Sequence, residues 1–128
     1  MPENNLFEYA VIRVVPQVER EEFVNVGVVL YCAGKKFLKA DIHLNADRLK
    51  SFSAKIDIEE ISEYLHAFQE ICKGSADAGP IAKLPIAERF RWLTATRSTV
   101  VQTSKVHPGL CEDPGVMLKQ LQDQFVSC

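Results

Sequence analysis

Phe23-Val24-Asn25-Val26-Gly27-Val28-Val29-Leu30-Tyr31-Cys32 runs almost without polar interruption, with valine at 24, 26, 28 and 29. β-branched side chains are stiff at χ1 and fit a pleated strand. A run this continuous suits a central strand buried on both faces. Ala33-Gly34-Lys35 then supplies a turn, and Lys36 to Leu44 returns as the second arm of a hairpin. This arm alternates cleanly. Leu38, Ala40, Ile42 and Leu44 point one way, while Lys39, Asp41 and His43 point the other.

Upstream, Glu8 to Val15 alternates loosely and stops at Pro16, which cannot donate to a sheet ladder. Downstream the pattern turns helical. A short helix is expected over Ala46 to Phe52. A firmer one carries Ile58, Ile61, Leu65, Phe68 and Cys72 in a single apolar stripe. Asp57 and Glu60 stand in capping-box spacing at its start, and Lys73-Gly74 forms a suitable end. Pro85 opens another short helix with Ile86, Phe90 and Leu93 on one side. The β-branched run in Arg97 to Ser104 reads as a fourth strand. Asp113-Pro114 has N-cap and N1 chemistry for a last helix with Leu118, Leu121 and Phe125 inward. The expected fold class is α+β, one domain over residues 1–128, with an about four-stranded, mainly antiparallel sheet and helices packed on one face.

Composition fits that class. The chain has 128 residues, 47% hydrophobic and 25% charged, the balance of an ordinary globular protein. A net charge of −2 excludes a strongly basic nucleic-acid binder, so nucleic acid is not an expected partner. No apolar run approaches the roughly 18 residues needed to cross a bilayer, so no membrane partner is expected. Met1-Pro2-Glu3-Asn4-Asn5 lacks a basic n-region and an apolar h-region, which points to a cytoplasmic protein. Cys32, Cys72, Cys111 and Cys128 are scattered and form no CxxC pair, so reduced thiols are expected, with Cys32 and Cys72 on apolar faces and Cys111 and Cys128 more exposed.

Two stretches read together resemble the bacterial family of unknown function DUF3037. The first is Tyr9-Ala10-Val11-Ile12-Arg13-Val14-Val15-Pro16 with Arg20-Glu21-Glu22-Phe23-Val24-Asn25-Val26-Gly27-Val28. The second is Glu88-Arg89-Phe90-Arg91-Trp92-Leu93 with Arg97-Ser98-Thr99-Val100-Val101-Gln102-Thr103-Ser104 and His107-Pro108-Gly109-Leu110-Cys111. The resemblance brings no established activity with it. It implies only a companion, because such proteins look to be encoded beside a HipA-like kinase.

Three constellations can carry chemistry. If the even-numbered residues of the return arm face the core, alternation gathers Tyr9, Val11, Gly27, Val29 and Tyr31 on the opposite sheet face, with Arg13 and Asn25 among them. That face is then a candidate interface, to which Trp92 adds an aromatic anchor; cover by a loop or a second subunit is the plainer reading. Second, Arg89, Arg97, Ser98, Thr99, Gln102 and His107 form a basic, hydroxyl-rich segment to which Arg13, Arg20 and Asn25 can contribute. Guanidinium forks and hydroxyls suit phosphate or carboxylate, although surface ion pairs are the plainer reading and no glycine-rich phosphate loop is present. Third, His107-Pro108-Gly109-Leu110-Cys111-Glu112-Asp113 brings imidazole, thiol and carboxylates together. A zinc site wants a second Cys or His pair, so no metal and no cofactor are expected, and the segment reads as an ordered turn before a helix cap.

The expected function is an interaction module without catalysis, either homo-oligomeric or the companion of a HipA-like kinase. The alternative is a small enzyme or sensor for a phosphate-bearing ligand. It turns on whether Arg13, Asn25, Arg97 and His107 line one pocket.

Overall fold

Period-two apolar patterning in the first 44 residues folds as three antiparallel strands: β1 (Asn5–Val14), β2 (Val24–Cys32) and β3 (Phe37–Ile42). The computed structural model describes residues 4–16, 22–52, 56–97 and 99–126. A 3-10 turn at Ala33–Lys35 joins β2 to β3, with Lys36 in the left-handed region at φ 51°. The chain continues through α1 (Ala46–Phe52), α2 (Ile58–Lys73), α3 (Ile86–Leu93), β4 (Val101–Thr103), β5 (His107–Cys111) and α4 (Pro114–Phe125). The fold is α+β, with five strands and four α-helices among the described residues. No described helix is long and apolar enough to cross a membrane.

The sheet runs β3-β2-β1-β4, and β5 pairs with the other half of β1. β4 and β5 are thus two pieces of one edge. Ile12 pairs with Thr103 and Tyr9 with His107, a register offset of one residue. Ser104 closes the gap. The Val11 amide donates to its Oγ (2.9 Å), its own amide donates to the Val11 carbonyl (2.8 Å), and its hydroxyl donates to the Lys105 carbonyl (2.9 Å). A buried serine here therefore replaces a missing ladder bond.

The sequence reading has no strand at His107–Cys111. Pro108 and Gly109 look like a turn, yet proline is tolerated on an edge strand. Gly109 is required by packing, because a Cβ there would lie 2.4 Å from the Phe7 ring.

A second irregularity decides which residues share a face. Arg13 pairs with Asn25 and Ile12 with Gly27, so Val26 is an inserted bulge residue. Val26 and Gly27 then fall on the same side, and the alternation beyond them is shifted by one. Gly27 packs against β3 so closely that a Cβ would meet the Asp41 carbonyl oxygen at 2.6 Å. The neighbouring backbone thus makes a close approach that needs glycine.

Leu38, Ala40 and Ile42 lie beneath the helices as their alternation predicts, in a core with Ala10, Ile12, Val14, Val26 and Val29. Leu49 of α1, Ile61, Leu65 and Phe68 of α2, and Phe90 and Leu93 of α3 cover that core. Helices on one face only, with the second face left open, is corrected by the structure. α4 lies on the second face, packing Leu118 and Leu121, with Val126 just after it, against Phe7, Val28, Leu30 and Cys32. Its entry is fixed by the turn after β5. Asp113 accepts from the Gly115 and Val116 amides at 2.9 and 3.3 Å, and Pro114 occupies the first turn.

Candidate interaction surface

The residues proposed for an anion site disperse. Arg89 caps other elements: its Nη1 donates to the Ile71 and Cys72 carbonyls at 3.0 and 2.9 Å, and its Nε to the Leu84 carbonyl at 3.0 Å. It thereby satisfies carbonyls that α2 leaves unpaired at its end and ties α2 to the start of α3. Thr99 and Gln102 hold their own loop, with Thr99 Oγ1 donating to the Val101 carbonyl and Gln102 Nε2 to the Thr99 carbonyl. His107 is exposed and rests against Tyr9, ring centroids 5.5 Å apart. Arg20 and Ser98 lie outside the described residues.

Arg13, Asn25 and Gln102 do form a row, in register across β2, β1 and β4. The Arg13 guanidinium carbon sits 4.1 Å above the centre of the Phe23 ring, and burial holds the group below its ordinary value. Asn25 Nδ2 donates to the Phe125 carbonyl at 3.1 Å, at the end of α4. Arg13 Nε and Asn25 Oδ1 are buried without a partner among the described residues. Since neither atom reaches solvent, neither is presented to an incoming ligand. A pocket of about 240 Å³ beside Asn25, with His43, Asn45 and Arg48 in its wall, takes in none of Arg13, Arg97 or His107.

The expected sheet-face interface separates as well. Tyr9 and Val11 lie on the α4 side, where Tyr9 is 6.0 Å from the Phe125 ring. Gly27, Val29 and Tyr31 lie on the opposite side, where Tyr31 stacks on Phe90 at 5.3 Å. The bulge at Val26 is the cause. Both groups are covered within one copy of the chain, so an open face built from them is ruled out as a surface.

Trp92 is the exception. Leu93 turns into the core, which leaves Trp92 39% exposed at the end of α3. Arg97 folds back over it, guanidinium 4.2 Å from the ring centre, while its Nη2 donates to the Trp92 carbonyl. The same Arg97 lines a narrow cleft with Tyr64, Leu93 and Val101. Tyr64 is 37% and Val100 44% exposed. Trp92 and Arg97, held by stacking before any partner arrives, together with Tyr64 on the cleft that Arg97 lines, have the composition of a protein-binding hot spot. β4, beside them, pairs only with β1 among the described residues. Sequence reading missed Tyr64, although the stripe of Ile61, Leu65 and Phe68 places it on the rim of α2.

A second apolar spot lies at the other end of β1. Leu6 and Leu110 are cross-strand partners, 62% and 61% exposed. The three cysteines among the described residues, Cys32, Cys72 and Cys111, are buried, and Cys128 lies outside them. Cys111, expected to be more exposed, is buried with Cys32 under α4, because β5 carries it into the sheet. Burial pushes the Cys72 thiol up to about 12 and raises Cys111 too, which disfavours the nucleophilic thiolate. Asp113 is occupied as a helix cap, and no cluster of three or more metal-ligating side chains occurs among the described residues.

Among known proteins, residues 9–126 match the family model described as "Protein of unknown function (DUF3037)". No curated protein and no solved structure matches.

Proposed function

The chain belongs to the DUF3037 family, whose function is unknown, and from that premise we propose that it is an interaction module that docks a protein partner on the Trp92–Arg97–Tyr64 surface. The observation that carries this reading is the stacking of Arg97 on a solvent-exposed Trp92 beside an exposed Tyr64. An exposed tryptophan forfeits burial that a partner can restore, and a pre-stacked arginine loses little freedom on binding. The dispersal of Arg13, Arg89, Arg97 and His107 supports binding over catalysis. The partner is either a second copy of the chain or the HipA-like kinase suggested by the resemblance.

Size-exclusion chromatography with light scattering tests this, on the chain alone and mixed with a purified HipA-like kinase. A mass above 14.4 kDa for the chain alone, or a co-eluting complex, is expected. Trp92→Ala with Arg97→Ala diminishes it while leaving the circular dichroism spectrum unchanged, since both side chains lie outside the core. A strict monomer that forms no complex overturns the reading.

A further inference from the structure

A concavity that the docking surface does not use opens at the end of the sheet, where the chain enters β2 and leaves β3. It is the pocket of about 240 Å³ beside Asn25. Val24 and Val26 reach it from the core beneath α1, α2 and α3, and Val126 reaches it from the core beneath α4. The two layers meet here, and the three valines give the pocket its apolar part. Val26 is also the bulge residue of β2, and bulges re-aim side chains beside binding sites. The rest of the wall is polar and held in place. The His43 amide donates to the Val26 carbonyl at 2.7 Å. Asn45 Oδ1 accepts from the Arg48 amide at 3.0 Å, which pins the two residues together at the start of α1 and leaves Asn45 Nδ2 as the donating end. Asn25 gives its Nδ2 to the Phe125 carbonyl, and so fixes the end of α4 that carries Val126.

This wall selects a ligand by charge, shape and size. Among the described residues that line it, Arg48 carries the only permanent charge and no carboxylate is present. A guanidinium fork matches a carboxylate with two parallel hydrogen bonds, and an imidazole adds a donor even when neutral. One positive charge balances a monoanion, whereas a phosphate monoester brings a charge of about −1.5 to −2. The volume lies below the roughly 300–1,000 Å³ of sites that hold drug-sized molecules, which leaves no room for a nucleotide. We infer that this pocket binds a short-chain monocarboxylate, its carboxylate held by Arg48, Asn45 and His43 and its hydrocarbon end set against Val24, Val26 and Val126. The site is separate from the Trp92 surface and does not depend on the docking reading.

Isovalerate is the probe, titrated into the isotope-labelled chain and followed by amide chemical shifts. Saturable shifts at Val26, His43 and Arg48 are expected, while the amides around Trp92 stay in place. Isoamyl alcohol keeps the hydrocarbon without the charge, and inorganic phosphate keeps the charge without the hydrocarbon. Each is expected to bind about tenfold more weakly than isovalerate, or worse. Arg48→Gln weakens isovalerate by about tenfold or more, at an unchanged melting temperature. Should that variant melt lower, His43→Leu decides instead, because His43 is exposed and the change removes a donor while keeping bulk. Shifts that do not saturate, phosphate binding as tightly as isovalerate, or a folded Arg48→Gln (His43→Leu in its place) that binds like the wild type overturns the inference. Trp92→Ala leaves isovalerate binding unchanged, so failure here and failure of the docking surface are read separately.

Discussion

The two faces of the sheet are covered very unequally. On one, α1, α2 and α3 together bury Leu49, Ile61, Leu65, Phe68, Phe90 and Leu93 against the strands. On the other, α4 supplies Leu118 and Leu121 and its C-cap residue Val126 joins them, while Met117 and Phe125 are only half-buried. Burial free energy follows apolar area removed from water, so the three-helix layer carries most of the stability and α4 acts as a single-helix cover. A cover held by fewer apolar contacts opens at lower free energy than the layer opposite.

The largest expected effect contrasts the two layers directly. Phe68→Ala removes a ring that is 3% exposed, and the cavity costs about 3–5 kcal/mol. Leu118→Ala, at the same exposure, is expected near the low end of the leucine range, about 2–3 kcal/mol, because half-buried neighbours can settle into the space. Urea midpoints at unchanged slope measure both. A larger loss at Leu118 than at Phe68 inverts the ranking of the layers.

Much of this architecture was legible in the residues. The continuous run from Val24 to Cys32 has the character of a strand covered on both sides, and the structure gives it cover on both sides. Read strictly, that run already argued against an open second face. The amphipathic stripe of α4 told that Leu118 and Leu121 pack inward but not onto which face, since periodicity is blind to direction. The bulge at Val26 left no mark either, and it alone separates Asn25 from Val29 and Tyr31. Arg89 looked like a phosphate ligand because its carbonyl partners, Ile71 and Cys72, lie on another helix. Trp92 was legible as an anchor, but its stacking with Arg97 five residues on needed the fold.

Gly109 offers a finer cut. Alanine there pushes a methyl into the Phe7 ring on the α4 side, an overpacking cost of about 1–3 kcal/mol. Because Phe7 belongs to the core beneath α4, hydrogen exchange in α4 is expected to accelerate more than exchange in α2. Equal acceleration in both helices makes the faces one cooperative unit.

Alkaline titration probes the three-helix layer. Cys72 is pushed from 9.0 to about 12 by burial, so its neutral form is favoured in the folded state. The stability this represents is fully present below pH 9.0 and is lost as pH rises toward 12, because the unfolded chain ionises first. The slope reaches about 1.4 kcal/mol per pH unit from this group. Cys72→Ala is expected to be less stable at pH 7 yet to show a shallower alkaline loss. A slope unchanged by the substitution assigns the loss to other groups, Cys111 on the opposite face among them, since burial raises it in the same direction.

The smallest effects separate the layers by location. Asp57 caps α2 by accepting from the Glu60 amide at 3.1 Å, and Asp113 caps α4 by accepting from Gly115 and Val116. Alanine at either position costs about 1 kcal/mol. The far ends differ, though. Gly74 closes α2 in the left-handed conformation at φ 70°, and Arg89 holds the Ile71 and Cys72 carbonyls. The end of α4 is held by Asn25 donating to the Phe125 carbonyl and by the Val126 amide donating to that of Gln122. Losing the α2 cap therefore leaves a helix anchored by packing and by its other terminus, and exchange changes only through global stability. Losing the α4 cap frees the turn that aims the helix across the sheet. Asp113→Ala is expected to speed exchange along α4 while the α2 amides respond only to the global loss. Protection lost equally in both helices means that α4 does not open on its own, and that the second face stays sealed until the whole domain unfolds.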